Sequence, residues 1–407
     1  MQNDPGAIES SFEKFTAFLK QHGFLTILTA QFFSSLADNA LLFSAIGILK
    51  TLSAPEWHTP VLQQFFVFAY ILFAPFVGPL ADAFPKGRVM FLSNIVKFIG
   101  CVFMLSGMYP LFSYAIVGIG AAIYSPAKYG ILTECLPPER LVWANGWMEG
   151  LTVASIILGT ILGGILAFVI SVKTGLVIII TLYVIAGFFN FFIPKLKPDH
   201  SLARKTFLYI LKDFWASFQE LWKDPLGQVS LSVTTLFWGV SATLRLVILS
   251  WAVVALSLSL DQATRLTALV AIGIAVGSVI AARYIQLNHA VRILPLGMLM
   301  GIVVLSMAWV DQFAVAVLLL LAIGTLAGLF VVPMNALLQH RGHLLMGAGH
   351  SIAVQNFNEN LAILGLLGVY AGMLKLDFSQ TGIVFWFGTI VLVIMALLFV
   401  KHRHDQD

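Results

Sequence analysis

The chain has 407 residues, of which 59% are hydrophobic and only 10% are charged, and its mean hydropathy is +0.93. A soluble domain carries about 25% charged residues, so this composition excludes a soluble globular protein, a disordered chain and a nucleic-acid-binding protein. The formal charge of +4 is a small surplus of 23 Lys and Arg over 19 Asp and Glu. Two cysteines, Cys101 and Cys135, indicate neither a disulfide framework nor a metal cluster. The composition indicates a polytopic membrane protein.

The first 23 residues do not have the pattern of a signal peptide. The apolar run that follows them contains Asp38 and Asn39, and no small-residue cleavage site comes after it. We instead expect residues 1–23 to form a short helix on the membrane surface. Four apolar residues share one helical face in this segment, namely Ile8, Phe12, Phe15 and Leu19.

A membrane-spanning helix needs about 20 mostly apolar residues. Twelve runs of this kind follow one another, and polar or Pro/Gly stretches such as His340–His343 separate them. The sequence therefore predicts an all-α membrane protein with twelve transmembrane helices. In chain order the runs cover residues 24–50, 59–81, 89–107, 109–133, 140–171, 175–194, 226–257, 262–284, 291–309, 312–339, 347–374 and 380–400.

Positive charges are concentrated on one side of the predicted spans. With twelve spans both termini share a side, which carries 16 Lys and Arg residues against four on the other. The positive-inside rule places this richer side, with the tail 401–407, in the cytoplasm. The longest loop, 195–225, holds six of the 16 and an amphipathic stretch, Phe207–Trp222. We interpret it as a cytoplasmic linker between two six-helix bundles, 24–194 and 226–400.

The two halves of the chain repeat one another at a nearly constant offset. Asp38 and Arg245, each on the helix that opens its half, are 207 residues apart. Six spans per half is an even number, so the repeat is parallel, an arrangement found in secondary transporters. Two further pairs keep the offset within three residues, Pro126 with Pro333 and Glu149 with Glu359.

Six ionisable residues lie well inside the predicted spans. A charged residue at the centre of a span costs about 2.5–3.5 kcal/mol, so these side chains are expected to face the interior or a cavity. Polar neighbours at helical spacing, such as Gln355 beside Glu359, give four helices a polar stripe. Lys97 is close enough to the surface to extend to it, and Glu149 fits a bond inside the bundle, so a structural or coupling role stays open for both. The six are Asp38, Lys97, Lys128, Glu149, Arg245 and Glu359.

The loop between the second and third spans carries a cluster of glycine and charge. Gly78 permits close helix contact, Asp82 is placed to cap the next helix, and Lys86 with Arg88 supplies cations that can pair across the cytoplasmic face. We interpret Gly78, Asp82, Lys86 and Arg88 as a cytoplasmic gate that must open during transport.

Several stretches of the sequence resemble a known family. Gly78-x-Leu-Ala-Asp82 followed by Lys86-Gly-Arg88 is similar to the signature loop of the major facilitator superfamily. Longer strings resemble the lysophospholipid transporters of Gram-negative inner membranes, a family within it, although His340, His350 and Asn358 depart from the expected pattern. The strings are Gln31–Phe43, Tyr124–Ile131, Leu236–Arg245 and Ala353–Asn360.

The resemblance implies a major-facilitator fold and the movement of lysophosphatidylethanolamine and related lysolipids from the outer to the inner leaflet. It also implies a functional link to an acyltransferase and acyl-carrier-protein synthetase on the cytoplasmic side. We expect Arg245 and Lys128 to meet the phosphate of the head group, and Asp38 and Glu359 its ammonium. Asn39, Gln355 and Tyr124 complete the expected substrate site.

Other functions remain open at this point. A proton-coupled transporter of a drug or another amphiphile would also place carboxylates centrally, and a non-transporting scaffold or receptor would share the hydropathy pattern. The chain shows no nucleophile elbow, phosphate loop or metal motif, so we expect no enzymatic activity, no cofactor and no metal. We also expect a monomer.

Overall fold

The computed structural model describes residues 23–55, 58–194 and 206–404, so the predicted surface helix of residues 1–23 lies outside it except for its last residue. The described residues form α-helices and no strands. In chain order the helices are α1 (Gly23–Thr51), α2 (His58–Ala83), α3 (Lys86–Leu105), α4 (Pro110–Cys135), α5 (Leu141–Ile165), α6 (Val172–Asn190), α7 (Phe207–Lys223), α8 (Pro225–Ala255), α9 (Leu260–Tyr284), α10 (Leu294–Ser306), α11 (Phe313–Leu345), α12 (Ala348–Lys375) and α13 (Gln380–His404).

Twelve helical segments in the described residues are long and apolar enough to cross a membrane, which confirms the predicted number. All helices except α7 contribute a span. The α10 span reaches the required length with the 3-10 turns on either side of it, and runs over Leu287–Trp309. Helix α7 lies in the predicted linker and is amphipathic, with Phe214 and Leu221 buried and Lys212 and Glu220 exposed.

The predicted break at His340–His343 is wrong. Helix α11 continues through this polar stretch to Leu345 and ends before Gly347, whose φ of +100° lies in the left-handed region. A glycine adopts this conformation without steric cost and terminates a helix. Polar side chains alone do not end a span, because near its end they can reach water while the backbone stays helical.

Contacts divide the chain into two compact units. The first comprises residues 1–141, 154–220 and 339–357, and the second comprises 142–153, 221–338 and 358–407. The turn between α11 and α12 thus belongs with helices from the first half of the chain. The division of the sequence at the linker into bundles 24–194 and 226–400 stays a prediction.

The first unit is built on a continuous apolar core between α1, α2, α3, α4 and α6. Its members range in size from alanine to tyrosine. Buried members include Ala37, Leu41, Leu62, Val117 and Ile179. This core fixes the faces of α1 and α3 that carry polar side chains.

Candidate functional site

A buried ion pair joins α1 to α3 inside the first unit. Lys97 Nζ lies 2.6 Å from Asp38 Oδ2 and 3.0 Å from Ser34 Oγ. Ser34 and Asp38 are four residues apart on α1, so their side chains lie on the same face of the helix. The ammonium therefore has a carboxylate and a hydroxyl oxygen as acceptors at a depth where an unpaired charge would be costly.

Two aromatic residues complete what we call the Asp38 cluster, which consists of Ser34, Asp38, Asn94, Lys97, Tyr124 and Tyr183. The Tyr183 hydroxyl donates to Asp38 Oδ1 at 2.8 Å, and the Ser34 hydroxyl donates to Asn94 Oδ1 at 2.8 Å. Lys97 Nζ lies 4.8 Å from the ring centroid of Tyr124 and 5.9 Å from that of Tyr183, within the range of cation–π attraction.

A glycine on α4 makes room for the lysine. A Cβ atom at Gly120 would lie 2.6 Å from Lys97 Cγ and 2.8 Å from the Ser93 carbonyl oxygen. The close approach of α4 to α3 therefore directs the Lys97 side chain inward, toward Asp38. The expectation that Lys97 extends to the membrane surface is wrong, because its side chain is only 2% exposed and is neutralised locally.

The other predicted substrate residues are distributed over both units. In the first, Lys128 is buried with its Nζ 3.9 Å from the Tyr129 ring centroid, and the Asn39 amide donates to the Ser35 carbonyl oxygen at 2.8 Å. Buried Gln355 also belongs to the first unit. In the second unit, Glu359 is buried and Arg245 is exposed on α8. Binding of one ligand by all of them stays a prediction.

Glu149 has a polar partner within the second unit. The Asn335 side-chain nitrogen lies 3.3 Å from Glu149 Oε1, and both residues are buried. This contact links α5 to α11. The sequence indicated Glu149 as a polar feature of the repeat, but its pairing with Asn335 is a result of tertiary packing.

Two of the predicted gate residues, Asp82 and Lys86, belong to a second buried charge cluster. Lys86 Nζ lies 2.8 Å from Asp82 Oδ1 and 2.9 Å from Glu134 Oε1, and it also donates to the Ala81 carbonyl oxygen at 2.7 Å. Asp82 and Lys86 are almost completely buried. Arg88, by contrast, is exposed and forms no ion pair with a described residue.

Asp82 caps a different helix from the one expected. The predicted target was α3, but the α3 N-cap is Pro85 and has no side-chain hydrogen bond. Asp82 instead accepts hydrogen bonds from the backbone N–H of Gly349 at 2.7 Å and of His350 at 3.0 Å, at the start of α12. A carboxylate at this place satisfies free N–H groups and complements the helix dipole.

Close backbone contact makes this cap possible. A Cβ atom at Gly78 would lie 3.0 Å from His350 Cα, and one at Gly349 would lie 2.6 Å from Asp82 Oδ1. Two glycines, one on each side of the contact, therefore bring α2 and the start of α12 together. Gly78 thus has the role of a close-contact residue that the sequence indicated.

His350 extends the cluster to the linker helix. Its Nδ1 lies 2.6 Å from Asp82 Oδ2 and its Nε2 lies 3.0 Å from Asp213 Oδ2 on α7. Neutral imidazole donates from one nitrogen only, so two carboxylate partners fit the imidazolium form. We define the gate cluster as Asp82, Lys86, Glu134, Asp213 and His350. Sequence reasoning did not assign His350 or Asp213 to it, because they are distant from Asp82 along the chain.

Aromatic contacts hold α7 beside this cluster. The rings of Phe214 and Phe218 lie with their centroids 5.5 and 6.2 Å from that of Phe357 on α12, in edge-to-face arrangements. Phe207 packs on Phe76 of α2 at 5.7 Å. Helix α7 therefore contacts both elements that the Asp82 cap joins.

Comparisons with known proteins agree with this architecture. A family model described as Major Facilitator Superfamily matches residues 27–363. The solved structures that resemble the chain include the human organic anion transporter MFSD10, with a TM-score of 0.74 and 17% identity over 92% of this chain and 99% of that one. The transporter FucP in the outward conformation has a TM-score of 0.74 and 12% identity, and the match covers 94% of this chain and 98% of FucP. The predicted major-facilitator fold is confirmed.

Curated relatives are more similar in sequence. The lysophospholipid transporter LplT of Yersinia enterocolitica is 45% identical over 361 residues, which are 88% of this chain and 89% of that protein. The LplT protein of Yersinia pestis is 45% identical over 360 residues, 88% of each chain. Because these relatives are transporters, the prediction that the chain is not an enzyme is confirmed. The chain belongs to the Major Facilitator Superfamily and, within it, to the family of these lysophospholipid transporters.

Proposed function

We propose that the chain transports lysophospholipids from the outer to the inner leaflet of a bacterial inner membrane. The observation that carries this proposal is the 45% identity to curated lysophospholipid transporters, which extends over 88% of the chain. The buried charges support it, because ionisable residues inside a membrane protein usually serve a substrate or ion pathway.

The substrate determines the route. Moving a sixteen-carbon tail into water would cost on the order of 12 kcal/mol at about 0.8 kcal/mol per CH₂. A tail that stays in lipid or against apolar side chains avoids this cost. We therefore propose that the lysolipid enters sideways from the bilayer and that only its head group passes through the protein, by alternating access.

The head group needs polar partners of both signs in a low-dielectric interior. In the proposal, Arg245 and Lys128 bind the phosphate, Asp38 and Glu359 attract the ammonium of a zwitterionic head group, and hydrogen bonds come from Asn39, Tyr124 and Gln355. The side chain of Asp38 is 19% exposed and that of its partner Lys97 is 2% exposed. The carboxylate is thus the part of the pair that a ligand can reach.

The gate cluster supports a second element of the mechanism. It joins helices of the first half of the chain to residues 339–357, so these contacts must break when the gate opens. In the proposed orientation both termini are cytoplasmic, and the gate closes the cytoplasmic side. Released lysolipid would then reach a reacylating enzyme at the inner leaflet, and the transporter would act as a monomer.

Uptake by the purified full chain tests the proposed function. Vesicles with reconstituted protein are given labelled lysophosphatidylethanolamine, and the fraction that albumin can no longer extract is measured. We expect uptake that Arg245→Ala and Asp38→Ala each reduce at least tenfold. Lys375→Ala, at the exposed end of α12, is the matched control and retains uptake.

Two results would contradict the proposal. Uptake of an amphiphilic drug but of no lysolipid would support a different transporter. Unchanged lysolipid uptake in both site variants would contradict the assignment of Arg245 and Asp38 to the head group, but not the proposal that lysolipid is the transported substrate. Repeating the assay after the proton gradient is collapsed shows whether transport depends on it.

A further inference from the structure

Lys97 places its ammonium in surroundings suited to a ligand ammonium. Its Nζ contacts Asp38 Oδ2 at 2.6 Å and Ser34 Oγ at 3.0 Å, and lies 4.8 and 5.9 Å from the ring centroids of Tyr124 and Tyr183. Carboxylate oxygens and aromatic faces are also the groups with which proteins bind ammonium ligands. The Asp38 cluster is thus an ammonium-binding site that the chain fills with its own lysine.

Asp38 keeps accepting capacity in this arrangement. An ionised carboxylate has about four acceptor sites, and Asp38 accepts two hydrogen bonds, from Lys97 and from Tyr183. Lys97 approaches from the buried side, since its side chain is 2% exposed, whereas that of Asp38 is 19% exposed. A second ammonium can therefore approach the same carboxylate from the exposed side.

The lysine is fixed in this place by packing. Gly120 on α4 lies against its stem, where a Cβ atom would come within 2.6 Å of Lys97 Cγ. Leaving the cluster would separate the buried Lys97 ammonium from its partner carboxylate, which is strongly unfavourable. A head group that reaches Asp38 therefore meets a carboxylate whose charge is already balanced.

We propose that Lys97 sets the head-group preference of the transporter by neutralising Asp38 from its buried side. This inference rests on the proposed transport of lysophospholipids. Because the pair has no net charge, an ethanolamine ammonium gains only part of the attraction that a free carboxylate would give it. A glycerol head group has no ammonium, so the neutralisation of Asp38 does not reduce its binding in this way. Lys97 is a positioning residue that acts through Asp38.

The test measures the ratio of uptake of lysophosphatidylethanolamine to that of lysophosphatidylglycerol by full-length protein in phosphatidylcholine vesicles. Lys97→Met keeps the length of the stem and removes the charge, so we expect the ratio to rise about tenfold. Asp38→Asn removes the attraction, so the ratio falls by a similar factor. Lys97→Arg retains the charge and leaves the ratio close to that of the unmodified protein.

The double variant Asp38→Asn/Lys97→Met separates this role from a purely structural one. Because both charges are gone, the double variant should have a ratio close to that of the unmodified protein and above that of Asp38→Asn, in which the unpaired Lys97 ammonium repels the ligand ammonium. Neither the double variant nor Lys97→Arg leaves one charge of the pair without the other. These two variants therefore provide the comparison if Lys97→Met does not fold. Equal losses for both lipids in every variant, or a ratio in the double variant no higher than that of Asp38→Asn, would overturn the inference. Failure of the unmodified protein to take up any lysolipid would instead refute the proposed function.

Discussion

Asp82 offers the most direct perturbation of the gate cluster, because it accepts four hydrogen bonds. They come from Lys86 Nζ, the backbone N–H groups of Gly349 and His350, and His350 Nδ1. Asp82→Asn keeps the shape of the side chain but removes its charge and presents an N–H₂ group to donors. Breaking a buried ion pair by changing one partner costs about 3–5 kcal/mol. The gate contact is expected to weaken by more than a hundredfold.

Asp213→Asn provides a graded comparison at the edge of the same cluster. It affects a single contact, the 3.0 Å one with His350 Nε2, and its carboxylate is 27% exposed. Solvent screening limits such a contact to about 1 kcal/mol, which is roughly a fivefold change. The exposed carboxylate of Glu139, which forms no ion pair in the described residues, is the matched control as Glu139→Gln.

The assay is a distance measurement between spin labels attached to cysteines that replace Phe84 and Leu344, two exposed residues of the first unit. Cys101 and Cys135 are replaced beforehand so that only these positions react. We expect Asp82→Asn to shift most of the population to a longer distance, Asp213→Asn to shift a smaller part, and Glu139→Gln to shift none. If folded Asp82→Asn protein kept the distance distribution of the control, the cluster would not hold the gate closed.

Two further predictions concern packing and charge within the separate units. Gly120→Ala should destabilise the protein by about 1–3 kcal/mol, because the new methyl group would overlap the Lys97 side chain and the α3 backbone. Thermal unfolding measures this loss. The control is Gly150→Ala, because no atom lies within 4 Å of a Cβ placed at Gly150. Asn335→Asp would place a second carboxylate beside Glu149 Oε1, where the nitrogen now lies at 3.3 Å, so the unfolding temperature should fall and the added change Glu149→Gln should restore it. Absence of that rescue would show that the two side chains do not interact.

The sequence predicted the spans well because hydropathy is local. Each residue contributes its own transfer free energy, so a window of about 20 residues identifies a spanning helix without knowledge of its neighbours. Helix ends are less local. Polar residues at His340–His343 suggested a break, whereas the helix continues to Leu345 because only Gly347 takes a backbone conformation that ends it.

The partners of the charged residues could not be predicted from the sequence. The cost of a membrane charge indicated that Asp38 would face the interior, but its pairing with Lys97 depends on how α1, α3 and α4 pack. Asp82 was interpreted as a cap for the next helix, yet the donors that it meets belong to α12, and the nearer of them in sequence is 267 residues away. Such partners cannot be read from spacing, because spacing along one helix reports only on residues three or four positions apart.

By itself the sequence determined that twelve segments, all among the described residues, are long and apolar enough to cross a membrane and that charged residues lie inside them, because transfer free energies are properties of single residues and short windows. Only the tertiary structure decided that Lys97 neutralises Asp38 and that His350 connects Asp82 to the linker helix. These pairs depend on the close approach of helix backbones at Gly120, Gly78 and Gly349, and that approach is a property of the packed helices together.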